Sequence, residues 1–256
     1  MNRQRRRSLA TISVFGISNL HRQNPFMVAW WSAAFPGFGQ YLLNQYLRAT
    51  ILTLSEVIIN TLARVNEAIV YSFSGKFEMA KSVLRPQWAF GYLIIYLYAI
   101  WESFRSTLVQ NKMCHIAELE NEPLQNNIIH PLEIQYVEQK NPFIAAVYSF
   151  LFPGLGQLYN FRFALGFYAM FWWWVYLILS RAFESVMSLL FGNIQHSISV
   201  IRMHWLLFMP SVMGGSVYHA FITAIEHNQL YRREQRQHLI ERYRNSEVCI
   251  FKQGGI

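Results

Sequence analysis

The residues of this chain that could do chemistry are ionisable side chains set into apolar runs. Glu56 stands in "LTLSEVIIN", Glu102 in "AIWESF" and His219 in "SVYHAF". Glu102 and His219 lie 117 residues apart, at matching places in two similar stretches. An acid and a histidine so placed could relay protons or hold an ion. Arg105, three residues beyond Glu102, offers a simpler use, a local ion pair. Arg64 and Glu67 are also three apart, as are Arg181 and Glu184, so each pair can meet on one helix surface. Arg85 and Arg202 follow further along, and unpaired arginines recognise anionic groups. Glu56 aligns with Trp173, so it serves something particular to its own half or faces a water-filled side of a helix bundle.

No reaction follows from these residues. The sequence carries no nucleophile–base–orienter spacing, no phosphate loop and no metal-ligand cluster. Its histidines are scattered, and Cys114 and Cys249 fit no metal or redox spacing, so they read as free thiols. The expectation is a protein that is not an enzyme, with no catalytic residues, no metal and no cofactor.

The elements that must hold these side chains are apolar. Hydrophobic residues make up 53% of the 256, and charged residues only 14%. The two are segregated. "FALGFYAMFWWWVYLILS" (163–180) contains no charge and has the length of a transmembrane helix, and "QWAFGYLIIYLYAIW" (87–101) is of the same kind. A helix buried in a soluble protein is rarely apolar all round for so long. The net charge of +8 is concentrated at the ends, in "MNRQRRRSLA" and at Arg232, Arg233, Arg236, Arg242 and Arg244. Beside membrane helices such clusters are positive-inside signals that touch anionic lipid headgroups, which puts both termini in the cytoplasm of a cell-membrane protein. Nucleic acid is not the expected partner. "RRRSLATISVFGI" has a short, interrupted apolar stretch and no cleavage motif, so it reads as a basic arm on the membrane surface.

A longer pattern organises the chain. "NPFMVAWWSAAFPGFGQ" (24–40) returns as "NPFIAAVYSFLFPGLGQ" (141–157), and the same offset of 117 holds without a gap to Asn111 and Asn228. Arg64, Glu67, Gly75, Arg85 and Trp88 match Arg181, Glu184, Gly192, Arg202 and Trp205. The division expected is a basic arm (1–23), a first membrane unit (24–111), an acidic connector (112–140), a second unit (141–228) and a basic tail (229–256). Each unit reads as three helical pieces, 25–43, 47–72 and 87–109, then 142–159, 163–190 and 204–226. Short amphipathic helices at the interface come before the third pieces, followed by Trp88 and Trp205 where an aromatic belt would hold them. The fold class is all-α, a polytopic membrane helix bundle of two homologous three-element repeats.

Pro36, Gly37, Gly39 and Gln40, with Pro153, Gly154, Gly156 and Gln157, form the motif that breaks each first piece. Proline removes a donor, glycine admits positive φ and close approach, and glutamine can satisfy freed backbone groups or a neighbouring helix. "FPGLGQLYN" resembles the TM2-type hairpin and the related FPGxGQxYN module of bacterial membrane proteins. The resemblance covers about 40 residues per copy and implies a membrane hairpin without a defined activity.

Two architectures remain. Three crossings per unit make the copies inverted, as in many secondary transporters. A re-entrant Pro-Gly piece leaves two crossings and parallel copies. Positive charge does not choose between them, and the preferred reading is three crossings per unit, six in all. The function expected is an assembly or scaffold component that presents basic cytoplasmic tails to lipid, to a membrane-protein partner or to a second copy. The alternative is a small transporter or transporter subunit, with Glu56, Glu102 and His219 in one aqueous cavity.

Overall fold

The structure is a computed structural model that describes residues 9–13, 16–120, 127–130 and 133–243. The first eight residues, Cys249 and the end of the tail lie outside the described residues. The chain is all-α apart from two hairpins that the sequence reading did not foresee. Strands β1 (Ala10–Ser13) and β2 (Gly16–Asn19) pair antiparallel, as do β3 (Asn127–His130) and β4 (Glu133–Tyr136). The first hairpin is followed by α1 (Pro25–Ala34), α2 (Phe38–Leu42), α3 (Tyr46–Ala63), α4 (Val65–Phe73), α5 (Phe77–Val83) and α6 (Pro86–Glu120). After the second come α7 (Pro142–Leu151), α8 (Leu155–Tyr159), α9 (Phe163–Ser180), α10 (Ala182–Leu190), α11 (Ile194–Val200), α12 (Met203–Leu206) and α13 (Phe208–Tyr243). Every boundary from β1 to α5 recurs 117 residues later, and α12 starts 117 residues after α6.

Local chemistry sets these boundaries. Asn24 and Asn141 cap α1 and α7, accepting from the backbone N–H of Phe26 and Phe143, with proline at the first helical position. The residues before Pro36 and Pro153 are extended, which ends both helices. The second pieces are not single helices as expected. Arg64 (φ 58°) and Arg181 (φ 54°) adopt the left-handed conformation and divide α3 from α4 and α9 from α10. The carbonyls freed there are satisfied across the fold, Ala63 O by the Arg85 N–H (3.1 Å) and Ser180 O by the Arg202 N–H (2.9 Å). The third pieces differ from each other. Pro210 cannot donate to the ladder and crowds the carbonyl four residues back, at Leu206, so α12 stops there while α6 runs unbroken.

The first pieces are helix–break–helix hairpins. α1 lies along α6 with its start near Asn111, which exchanges two hydrogen bonds with the Gln23 backbone (2.9 and 2.8 Å). Its far end is near Tyr96, whose hydroxyl donates to Ala33 O at 2.7 Å. α2 then returns, and the Gln23 side chain donates to Leu42 O at 2.7 Å. The two ends of residues 24–42 therefore lie side by side. In the second half Asn228 exchanges the same pair of bonds with Lys140 (2.7 Å each).

Three boundaries move. α6 continues to Glu120, so the start of segment 112–140 is helix, and α13 carries helix to Tyr243 within segment 229–256. Residues 10–13 and 16–19 form a hairpin packed on the helices. Ile12 and Ile17 are buried against Leu230, because the hairpin turns one apolar face onto α13. The two halves meet in a cluster of Phe35, Val57, Tyr176, Ala182, Phe208 and Met209. Among the described residues two stretches are long and apolar enough to cross a membrane: α9, with mean hydropathy 1.5 and 17% of it buried, and Met203–Tyr243, in which an 18-residue window has mean hydropathy 1.2 and is 39% buried.

Candidate functional site

The Pro-Gly motif has a geometric role in both halves. Gly37 (φ 96°) and Gly154 (φ 109°) take a backbone conformation that other residues adopt only with strain. A Cβ on Gly39 would meet Val28 O at 2.6 Å, and one on Gly156 would meet the Ala220 Cβ at 2.7 Å. Close approach lets the short return helix lie against the first. Gln40 and Gln157 are buried and donate to Ala99 O (3.2 Å) and Ser216 O (2.9 Å) on the long helices. Ser32 and Ser149 donate to those glutamines' carbonyl oxygens (3.4 and 3.1 Å). Tyr159 and Asn160 add bonds that Leu42 and Leu43 cannot make: the Tyr159 hydroxyl accepts from the Asn141 N–H (3.1 Å), and Asn160 donates to Ala220 O (2.8 Å).

The ionisable residues do not converge. Glu56 is 4% exposed, so it does not face water; its Oε1 accepts from Asn60 (3.0 Å) and from the Tyr92 hydroxyl of α6 (3.2 Å). Glu102 accepts from Arg105 (2.8 Å), Arg48 (3.1 Å) and Ser106 (3.1 Å). His219 is buried beside Thr223 (3.4 Å) in a cavity between the halves that neither glutamate lines. Arg64 grips Glu67 through two nitrogens (2.6 and 2.9 Å), and Arg181 pairs with Glu184 (2.8 Å). Each pair spans a helix break and does not ride on one helix. Arg85 and Arg202 are exposed, as is Trp88, whereas Trp205 packs into the cluster between the halves.

A junction that sequence reasoning missed joins the halves at the end where the long helices protrude. Arg162, 3% exposed, precedes α9. Its guanidinium donates to Asn44, to the Tyr46 hydroxyl (2.9 Å) and to Asn19 (3.2 Å), and it lies 3.9 Å from Glu226. His21 holds the same glutamate at 2.6 Å. Beyond it Glu118 bridges Arg22 (2.6 Å) and Arg233 (2.9 Å), tying the first hairpin's exit, α6 and α13 together. The hydrogen bond from Arg233, reinforced by Arg22, holds the Glu118 carboxyl below its usual range. Burial, with Glu118 nearby, pushes the Cys114 thiol up. Among the described residues no group of histidine, cysteine and carboxylate side chains could hold a metal ion. No protein-family model, curated protein or solved structure matches this chain.

Proposed function

We propose that the chain is a multi-pass membrane protein built from two copies of one unit, acting as a non-enzymatic assembly or scaffold component. The observation that carries the membrane reading is α9. A helix of mean hydropathy 1.5 with only 17% of it buried presents apolar surface that water would penalise and lipid would not. A core helix of a soluble protein would have that surface covered. The duplication reading rests on the recurring boundaries and on hydrogen bonds repeated at the same offset, Gln40 to Ala99 and Gln157 to Ser216 among them. The resemblance to the TM2-type hairpin is part of this proposal.

The places where helix ends meet support four crossings over the six preferred from sequence. Residues 24–42 return to their starting level, so we read them as re-entrant, with α3 and α6 crossing in the first half and α9 and α13 in the second. That makes four crossings and parallel units, with both termini and the connector in the cytoplasm. α6 and α13 are about 50 Å long at 1.5 Å per residue, so each extends some 20 Å beyond a core of about 30 Å. The basic extension of α13 is the surface offered to anionic lipid, a membrane-protein partner or a second copy. The dispersal of Glu56, Glu102 and His219 into separate local contacts weighs against a transport path.

Cys114 is a poor reporter of sidedness, being 2% exposed. The test uses single cysteines in a Cys114→Ser, Cys249→Ser background with an impermeant thiol reagent. Leu119→Cys (73% exposed) and Ile240→Cys (44% exposed) are expected to label from the same side, and Glu78→Cys and Gln195→Cys from the other. Opposite labelling of positions 119 and 240 would sink the four-crossing reading. Photocrosslinking from position 240 is expected to trap a discrete partner or a second copy. Specific solute flux in reconstituted vesicles would replace the scaffold with the transporter.

A further inference from the structure

Two adjoining cavities between the halves have an order along α9. The outer one, about 280 Å³, is lined by Ser13, Ser18, Tyr46, Thr50 and Arg162. The inner one, about 60 Å³, is apolar and lies among Phe35, Trp172 and Tyr176. Tyr41, Leu165 and Tyr168 line both, so these three side chains stand between the two spaces. Arg162, just before α9, and the α9 residues 165, 168, 172 and 176 form a stripe at helical spacing. It runs about 20 Å, from the charged end of the helix to about one turn short of its other end.

The unspent hydrogen-bonding groups define the guest. Arg162 is buried and its Nε has no partner; the Tyr168 and Tyr176 hydroxyls are likewise buried without one. A guanidinium nitrogen only donates, so what satisfies it must be an acceptor. Among the described residues Glu226 is the carboxylate that faces Arg162; it stands 3.9 Å away and is held at 2.6 Å by His21, which leaves the Arg162 Nε without a close acceptor. Arg162 immediately precedes the apolar stretch 163–180, the depth at which lipid headgroups lie if α9 spans the bilayer.

We infer that the cleft between the two halves is a binding site for an anionic lipid, with its oxyanion head at Arg162 and Tyr168. The first few methylenes of one acyl chain would enter past Leu165 toward Tyr176. Glycerophosphate or carboxylate heads fit the same donors. Arg162 is then the recognition residue, distinct from the basic tails, and the lipid fastens the two halves. This rests on the membrane reading proposed above.

The test is native mass spectrometry of the full chain purified from membranes in detergent, with dioleoyl phosphatidylglycerol, dioleoyl phosphatidylcholine, oleate or inorganic phosphate added. One phosphatidylglycerol or oleate per chain is expected to survive, and the two to compete. Phosphatidylcholine should bind at least ten-fold more weakly. Competition by oleate shows that the site takes either oxyanion head, and its failure to compete restricts the site to a phosphodiester; both support the site. Leu165→Trp, which fills the passage, and Arg162→Gln should each weaken retention ten-fold or more, while Arg232→Gln on the tail should leave it unchanged. Leu165→Trp keeps the junction's hydrogen bonds, so it decides the matter if Arg162→Gln unfolds. Retention unaffected by Leu165→Trp overturns the site, as does equal binding of inorganic phosphate. Recovery of the chain in the soluble fraction would instead overturn the membrane reading.

Discussion

At the scale of single residues, small side chains and glycines are placed where neighbours leave little space. Gly156 shows how little room is left. An alanine methyl there would press on Ala145 O, the Ser149 hydroxyl and Ala220, two of them groups that cannot yield without moving a helix. Gly156→Ala is expected to destabilise by about 1–3 kcal/mol, the usual cost of overpacking, read as a lower melting temperature in detergent. Glu118 gives a pH signature. Its carboxyl is held below the usual value in the folded chain, chiefly by the hydrogen bond from Arg233, so the unfolded chain takes up the proton first as pH falls. The stabilisation is complete above the unfolded carboxylate value of about 4.3 and is lost as pH falls through the folded value. Melting curves should show Glu118→Gln below the parent at pH 7, with the gap closing below about pH 4.

At the scale of elements, the helix breaks at Arg64 and Arg181 are the departures from simple periodicity. A left-handed residue with a side chain costs about 1–2 kcal/mol, while an exposed ion pair such as Arg181–Glu184 returns about 0–1 kcal/mol. Arg181→Gly is therefore expected to be neutral or slightly stabilising, and a clear fall in melting temperature would mean that this arginine does more than end a helix. The asparagines that close each half behave oppositely. Asn228 both donates to and accepts from the Lys140 backbone, so Asn228→Ala leaves two main-chain groups without partners. About 1–3 kcal/mol is expected, with faster amide exchange at the start of α7.

For the whole molecule, the two halves are joined by apolar packing around Tyr176 and by the polar junction at Arg162. The protruding ends of α6 and α13 are held through Glu118 to Arg22 and Arg233. Those bonds are partly exposed and subject to screening. A spin-label pair at Leu119→Cys and Ile240→Cys should therefore give a broader distance distribution in Glu118→Gln than in the parent, while a pair at Ile100→Cys and Ile222→Cys, within the apolar parts of α6 and α13, stays unchanged. Equal broadening of both pairs would show that the halves separate as bodies.

Much of the architecture was legible in the residues because its causes are local. Proline and glycine act on the backbone within a turn, so the breaks at Pro36–Gly37 and Pro153–Gly154 could be placed from sequence, and apolar runs marked α6 and α9 by composition. The offset of 117 is a property of residue order, and the element boundaries from β1 to α5 share it. What the tertiary structure decided depends on groups far apart in the chain. That residues 24–42 double back is visible only where Gln23 meets Leu42 and Asn111. That Glu56 Oε1 meets Tyr92 and Glu102 meets Arg48 depends on groups that are each on another helix. Arg162 is the centre of the junction because Asn44, Tyr46 and Asn19 are brought to it from 116 to 143 residues away. Periodicity reports which face of a helix is apolar; which buried donor meets which acceptor is settled by packing, and no spacing in the sequence encodes it.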